Sequence, residues 1–196
     1  MAVEIWKRLP EARGVTTMAI QENERKFAEL ILYISQKSAF DSTFGSTKLN
    51  KILYFSDFLA YGKWGEAITG AEYQNLKRGP APRRLIPVRK ELEIEKALAI
   101  QPVQLSNGFV QHRVINLREA NLTLFKASEI ALVDEVIDTL KGLNATEASA
   151  LSHLDVGWKV TEEGETIDYR TVFLSDEPLT ESELRYLDFA EDAVAA

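Results

Sequence analysis

Between Thr47 and Tyr61 the chain reads TKLNKILYFSDFLAY. At the helical period, Leu49, Ile52, Leu53, Ser56, Leu59 and Ala60 line one side of this run. Tyr54, Phe55, Phe58 and Tyr61 widen the apolar surface around the rest of it. A helix that is apolar on most sides has to be wrapped by other elements, so this one is expected at the centre of the fold. Gly62 or Gly65 is the expected stop.

The other segments supply the wrapping. Phe27, Leu30, Ile31 and Ile34 recur at 3.6 residues and predict a helix over about 24–38, with Asn23 as its cap. Phe40–Thr47 reads as a loop in which Ser46 or Thr47 caps the central helix. Val88, Leu92, Glu95 and Ala99 share a face of a helix expected over about 82–99, whose regular part starts late because of Pro87. Val103–Leu105 and Phe109–Leu117 flank Ser106, Asn107 and Gly108, which predicts a small hairpin. It would carry Val110, His112 and Val114 on one face and Phe109, Gln111 and Arg113 on the other. Ser128 is the expected cap of a helix through Leu140 that ends at Gly142, and Asn144 or Thr146 opens a short helix to about His153. Residues 155–174 read as a second loop or strand region. Thr180 and Glu183 match a capping box before an acidic helical segment. The expected fold is mainly α with a small antiparallel β element (α+β), a single compact helical domain over 23–175. It is flanked by an N-terminal arm, 1–22, and an acidic C-terminal extension, 176–196.

Composition narrows the chemistry. None of the 196 residues is cysteine, which removes disulfides, thiolate nucleophiles and cysteine-ligated metals. His112 and His153 are the two histidines; His112 has no Asp, Glu or His around it at metal-ligand spacing and His153 reads as structural, so no metal and no cofactor is expected. No apolar run approaches the length of about 18 residues that would span a bilayer. MAVEIWKRLP lacks the apolar core of a signal peptide, so a cytoplasmic location is expected. The net charge of -7 hides a division. Residues 1–100 hold 16 basic and 12 acidic side chains, and residues 101–196 hold 7 basic and 18 acidic.

The positive charge concentrates in 77–90, where Lys77, Arg78, Arg83, Arg84, Arg89 and Lys90 occur without one acidic residue. Guanidinium groups on a loop stiffened by Gly79, Pro80, Pro82 and Pro87 suit phosphate or a carboxylate-rich protein surface. The plain alternative is a solvated loop paired with the acidic half of the chain. Asp57 falls inside the apolar helix and needs partners if buried, with Tyr73, Lys77 or Arg78 as candidates. His153 reads as a hydrogen-bonded residue closing its short helix, covered by Trp158. A hydrolase pairing Asp57 with His153 is the enzymatic alternative, but no nucleotide-binding, nucleophile-elbow or metal-protease motif accompanies it.

Two segments carry a family likeness. The first, residues 47–82, holds Lys48, Leu49, Lys51, Ile52, Leu53, Tyr54, Phe55 and Asp57, then Ile68, Thr69 and Gly70, then Lys77, Gly79, Pro80 and Pro82. The second, LSHLDVGWKVTEEGETIDY at 151–169, contains Ser152, His153 and Trp158. In this order they resemble the Panacea domain, the SocA-like antitoxin family, whose members include phage-associated proteins, and the likeness runs over roughly 24–172. The resemblance implies an antitoxin that neutralises a cognate protein toxin by direct binding, with no enzymatic reaction. It also implies, as an alternative, an adaptor delivering the toxin to a protease, while the basic run 77–90 leaves open a regulator binding promoter DNA, alone or with the toxin. Homo-oligomerisation stays open.

Under that reading Tyr54, Phe58, Tyr61 and Trp64, where exposed, join Lys77, Arg78, Arg83 and Arg84 as candidate partner contacts. Asp57, Gly70, Gly79, Pro80, His153 and Trp158 are the expected structural motif. Ile5, Trp6 and Leu9 in the arm, and Leu184, Leu187 and Phe189 in the tail, are candidate partner-selecting residues.

Overall fold

The helix predicted at the centre is there. In the computed structural model, which describes residues 20–106 and 108–174, helix α2 (Ser46–Trp64) buries fourteen residues on all its sides. Its first turn begins after Gly45, with no side-chain cap, so neither Ser46 nor Thr47 plays the expected part. Ser46 instead gives its hydroxyl to the His112 carbonyl and takes a hydrogen bond from Arg89. The helix stops at Gly65, whose φ of 75° closes the last turn in the left-handed region that glycine tolerates.

Helix α1 (Glu24–Lys37) is capped by Asn23, whose carboxamide oxygen accepts from Lys26 N. Its face of Phe27, Leu30, Ile31 and Ile34 packs against α2. Strands β1 (Tyr73–Gln74) and β2 (Ala81–Pro82) form a short antiparallel pair, Tyr73 opposite Pro82. Helix α3 (Leu85–Ile94) is shorter than the sequence suggests. Pro87 sits in its first turn, where no backbone donor is needed, and Ala99 belongs to the next strand rather than to the helix. That strand, β3 (Leu98–Gln104), pairs with β4 (Val110–Asn116) from Leu98↔Asn116 to Gln104↔Val110. The hairpin is therefore longer than the predicted Val103–Leu105 arm. Among the described residues β3 has β4 as its sole strand partner, which is how Pro102 is tolerated in it.

Helix α4 (Ala127–Leu140) is capped at Lys126, not Ser128, and the Glu129 carboxylate receives the Lys126 backbone N–H. Helix α5 (Ala145–Ser152) starts at Asn144, whose side chain accepts from Thr146 N and Glu147 N. The region read as loop or strand after it contains helix α6 (Val156–Val160), capped by Asp155, and a 3-10 turn, Tyr169–Phe173. The architecture is α+β and compact, with one continuous apolar core from Phe27 to Tyr169. An aromatic column runs along α2, with Tyr54 against Phe58 at 4.2 Å and Phe58 stacked on Tyr169 at 4.4 Å. No helix among the described residues is long and apolar enough to cross a membrane. The candidate residues of the arm, the turn residue Asn107 and the acidic tail with its Thr180–Glu183 box lie outside the described residues.

Candidate functional site: a buried joint under a basic and apolar rim

Gly79 marks the place where the two motif segments meet. Its N–H closes a turn on the Leu76 carbonyl at 2.8 Å, and its φ is 89°. A Cβ on Gly79 would lie 2.2 Å from Ser152 Oγ and 2.5 Å from Lys51 Nζ. The amine of α2 and the hydroxyl that ends α5 therefore share one small space against the backbone of the turn. Lys51 Nζ donates to the Pro80 carbonyl at 3.0 Å, and no acidic partner reaches it among the described residues. Burial alone pushes this lysine down to about 7.

One turn along α2, Tyr54 donates its hydroxyl to Asp155 Oδ1 at 2.5 Å. The same oxygen accepts from Trp158 N at 3.0 Å and caps α6. Burial raises the Asp155 carboxyl, an effect the Tyr54 hydrogen bond opposes. His153 stacks on Trp158 with ring centroids 4.0 Å apart, and its buried Nε2 has no hydrogen-bond partner. Desolvation, with the nearby Lys51 charge second, lowers its pKa. Trp158 thus covers His153 as expected, but stacking rather than hydrogen bonding holds the ring. The Trp158 indole N–H reaches Leu76 O at 3.1 Å, and Asn75 Nδ2 reaches Trp158 O at 2.9 Å and Thr161 O at 2.6 Å. These bonds pin the 75–79 loop to α6.

Asp57 belongs to a second network. Fully buried, it accepts from Thr69 N at 2.7 Å, from Thr69 Oγ1 and from Tyr73 OH at 2.7 Å. Burial raises its pKa and the Thr69 donors counter that rise. Of the three candidate partners Tyr73 is the one present; Lys77 and Arg78 are not. Gly70, with φ 69°, lets the chain pass beside Gln21. No hydrogen bond joins Asp57 to His153, so the pairing needed for a hydrolase is not assembled. Lys51 and Ser152, although neighbours, are closed to solvent. Among the described residues no group of three His, Asp or Glu is placed to hold a metal.

The candidate contact residues divide. Tyr54, Phe58 and Tyr61 are core, because the tail of the domain packs over them; Trp64, 39% exposed, is the one of the four that reaches the surface. Arg83 is committed to Gly164 O, Thr166 Oγ1 and Gln74 Oε1, and Arg84 to Glu24. Lys77 and Arg78 project from the pinned loop without an acidic partner among the described residues. On the segments joined to that loop, Leu154 is 57% exposed and Val160 61% exposed, and Lys159 is exposed between Trp158 and Val160. Sequence reasoning missed Leu154, Val160 and Asp155, and met Lys51 and Ser152 only within the family likeness. A readable signal for Lys51 was a lysine within an otherwise apolar helix. Leu154 and Val160 gave none, since their exposure depends on how α6 turns after Asp155.

What this arrangement offers is a loop and a short helix held together over a buried amine, with Lys77, Arg78 and Lys159 exposed on them. A family model described as antitoxin SocA-like, Panacea domain, matches residues 49–159, more than half of the chain. No curated protein and no solved structure matches it.

Proposed function

Since the chain belongs to the SocA-like antitoxin family with its Panacea domain, we propose that it is a non-enzymatic antitoxin that binds a cognate protein toxin directly. The carrying observation is the convergence at the Gly79 turn. Lys51, Tyr54, Gly79 and Pro80 come from the first motif segment, and Ser152, His153 and Trp158 from the second. They close into one joint, and the loop and helix segments that make it expose Lys77, Arg78, Leu154, Lys159 and Val160. Exposed apolar side chains and cations on segments held rigidly to the core suit protein recognition, with the cations steering encounter and buried apolar contacts holding the complex. A promoter-binding role has less support, because Arg83 and Arg84 are occupied within the chain and the net charge is -7. The protein would act in the cytoplasm without a cofactor.

Co-expression with a candidate toxin, the product of an adjacent reading frame, tests the reading. The variant K77E/R78E/L154D should fold with an unchanged melting curve and lose rescue of growth. Full rescue by that folded variant would remove this rim from the toxin interface. Arg83→Glu is the wrong probe, because it breaks the contacts that hold 164–166 in place.

A further inference from the structure

The β3–β4 hairpin has a face that the Gly79 joint does not use. Opposed residues of an antiparallel pair point to one side, and the sides alternate along each strand. The pairs Gln101↔Arg113 and Val103↔Gln111 therefore share a face. Leu105 N donates to Phe109 O at 2.8 Å, which extends the ladder and that face one pair further to the tip. On this face Gln111 and Arg113 hold the loop that follows α1. Gln111 Nε2 donates to Ser42 O and Phe44 O, both at 3.1 Å, and Arg113 donates to Ala39 O at 3.0 Å and Ser42 O at 3.4 Å. Next to them Leu105 is 37% and Phe109 69% exposed, and Phe40, set between the two carbonyls that Arg113 holds, is wholly exposed. We propose that the hairpin tip, Arg113 and the 39–44 loop form a second contact surface for the toxin, one that takes a segment presenting apolar side chains beside a carboxylate. This rests on the antitoxin reading and adds a surface to it.

The loop is fixed from both sides. Besides the four bonds from β4, Asp41 accepts from Thr43 N at 2.9 Å, from Thr43 Oγ1 at 2.6 Å and from Lys48 Nζ at 2.7 Å. The backbone around Phe40 is thus ordered before a partner arrives, so binding loses little further freedom there. Phe109 follows Gln111 on the same face, about 7 Å along the strand, which makes loop and tip neighbours. An occupant that adds a strand at the β3 edge fits badly. The pairing leaves the backbone groups of Ile100, Pro102 and Gln104 directed outward, and Pro102 has no N–H to give.

Charge sets the chemistry of the occupant. The chain stands at -7, yet it has no acidic residue from Lys96 to Arg118. Asp41, the acid of the facing loop, is paired with Lys48. Arg113 bonds to neutral carbonyls, and no carboxylate pairs with it among the described residues. Its charge therefore suits a carboxylate of the partner, while the aromatic side chains of loop and tip supply apolar contact. A second copy of this chain is the poorer occupant, since two chains at -7 repel.

Titration calorimetry of the full chain with the candidate toxin, the product of an adjacent reading frame, tests the surface. F40S/F109S changes two exposed side chains, so its melting curve should be unchanged and its affinity should fall about tenfold or more. Should the double variant melt lower, Phe40→Ser alone, at a wholly exposed position, repeats the measurement and should lose about threefold. Arg113→Lys and Arg113→Met both give up the double clamp on the loop, and Arg113→Lys keeps the charge. It should bind about threefold more tightly than Arg113→Met. Unchanged affinity of the folded phenylalanine variants overturns the surface and leaves the antitoxin reading standing. Equal affinity of the two Arg113 variants overturns the carboxylate-bearing occupant. No binding by the unsubstituted chain overturns the antitoxin reading and this surface with it. A dimer of the chain alone in sedimentation equilibrium, abolished by F40S/F109S, also overturns the proposal, in favour of a second copy on the face.

Discussion

Lys51 places a particular condition on stability. It is 1% exposed, it makes one hydrogen bond, and it stands next to a hydroxyl rather than a carboxylate. In the folded chain it titrates near 7, against 10.5 when unfolded. Between those values the unfolded chain binds the extra proton, so stability rises with pH across that window. Below pH 7 both states are protonated and the penalty of the buried charge is fully present. Tyr54, Tyr73 and Tyr169 end the gain near about pH 10, because burial raises them in the fold and unfolded tyrosines ionise first. Lys51→Met keeps the length and drops the charge. It should add about 1–2 kcal/mol at neutral pH and flatten the slope between about 7 and 10. Urea midpoints of both proteins across that window check it; parallel curves would show that Lys51 does not titrate as described.

At the level of elements, the Gly79 turn is the hinge pin between α2, α5 and the basic loop. Gly79→Ala meets two obstacles, a φ of 89° and a Cβ set 2.2 Å from Ser152 Oγ. Together these should destabilise by about 2–4 kcal/mol. Ser152→Ala removes the nearer obstacle and loses its bond to Ser149 O. The double variant should therefore be less unstable than the two single effects added, a coupling that thermal unfolding of all four proteins can read. The same turn shows what the sequence could carry. The Gly–Pro pair announced a turn, and the apolar period announced α1, α2 and α4, because both are local signals. The joint was not legible. Lys51 and Ser152 are about a hundred positions apart, and their meeting depends on how α5 docks on α2. The end of α3 was misread for a related reason. Ala99 fits the helical face, but the ladder Ala99↔Ile115 claims it, and a strand pairing lies outside any local window. Tyr54, Phe58 and Tyr61 looked like contact residues since exposure is decided by what covers them, here Tyr73 and Tyr169.

For the whole molecule, the matched segment 49–159 is smaller than the folding unit. Helix α1 contributes Phe27, Leu30, Ile31, Leu32 and Ile34 to the core, all fully buried, and Ile167 and Tyr169 close it from the other end. Lys26–Glu129 at 2.8 Å and Arg118–Glu29 at 2.7 Å tie α1 to later elements. Tyr169 OH also satisfies the Ala71 carbonyl at 2.7 Å, next to the Asp57 network. Each buried aliphatic or aromatic side chain contributes about 1.5–3 kcal/mol, so losing seven removes about 10–21 kcal/mol, comparable to or above the about 5–15 kcal/mol that holds a typical domain together. A chain cut to 49–159 should thus lack a cooperative urea transition, whereas 20–174 should retain one with a midpoint near that of the full chain. The comparison also separates folding from recognition. If 20–174 unfolds cooperatively and still rescues growth, residues 1–19 and 175–196 contribute to neither neutralisation nor the core. If 49–159 unfolds cooperatively, α1 and the 167–169 strap cover the core without holding it.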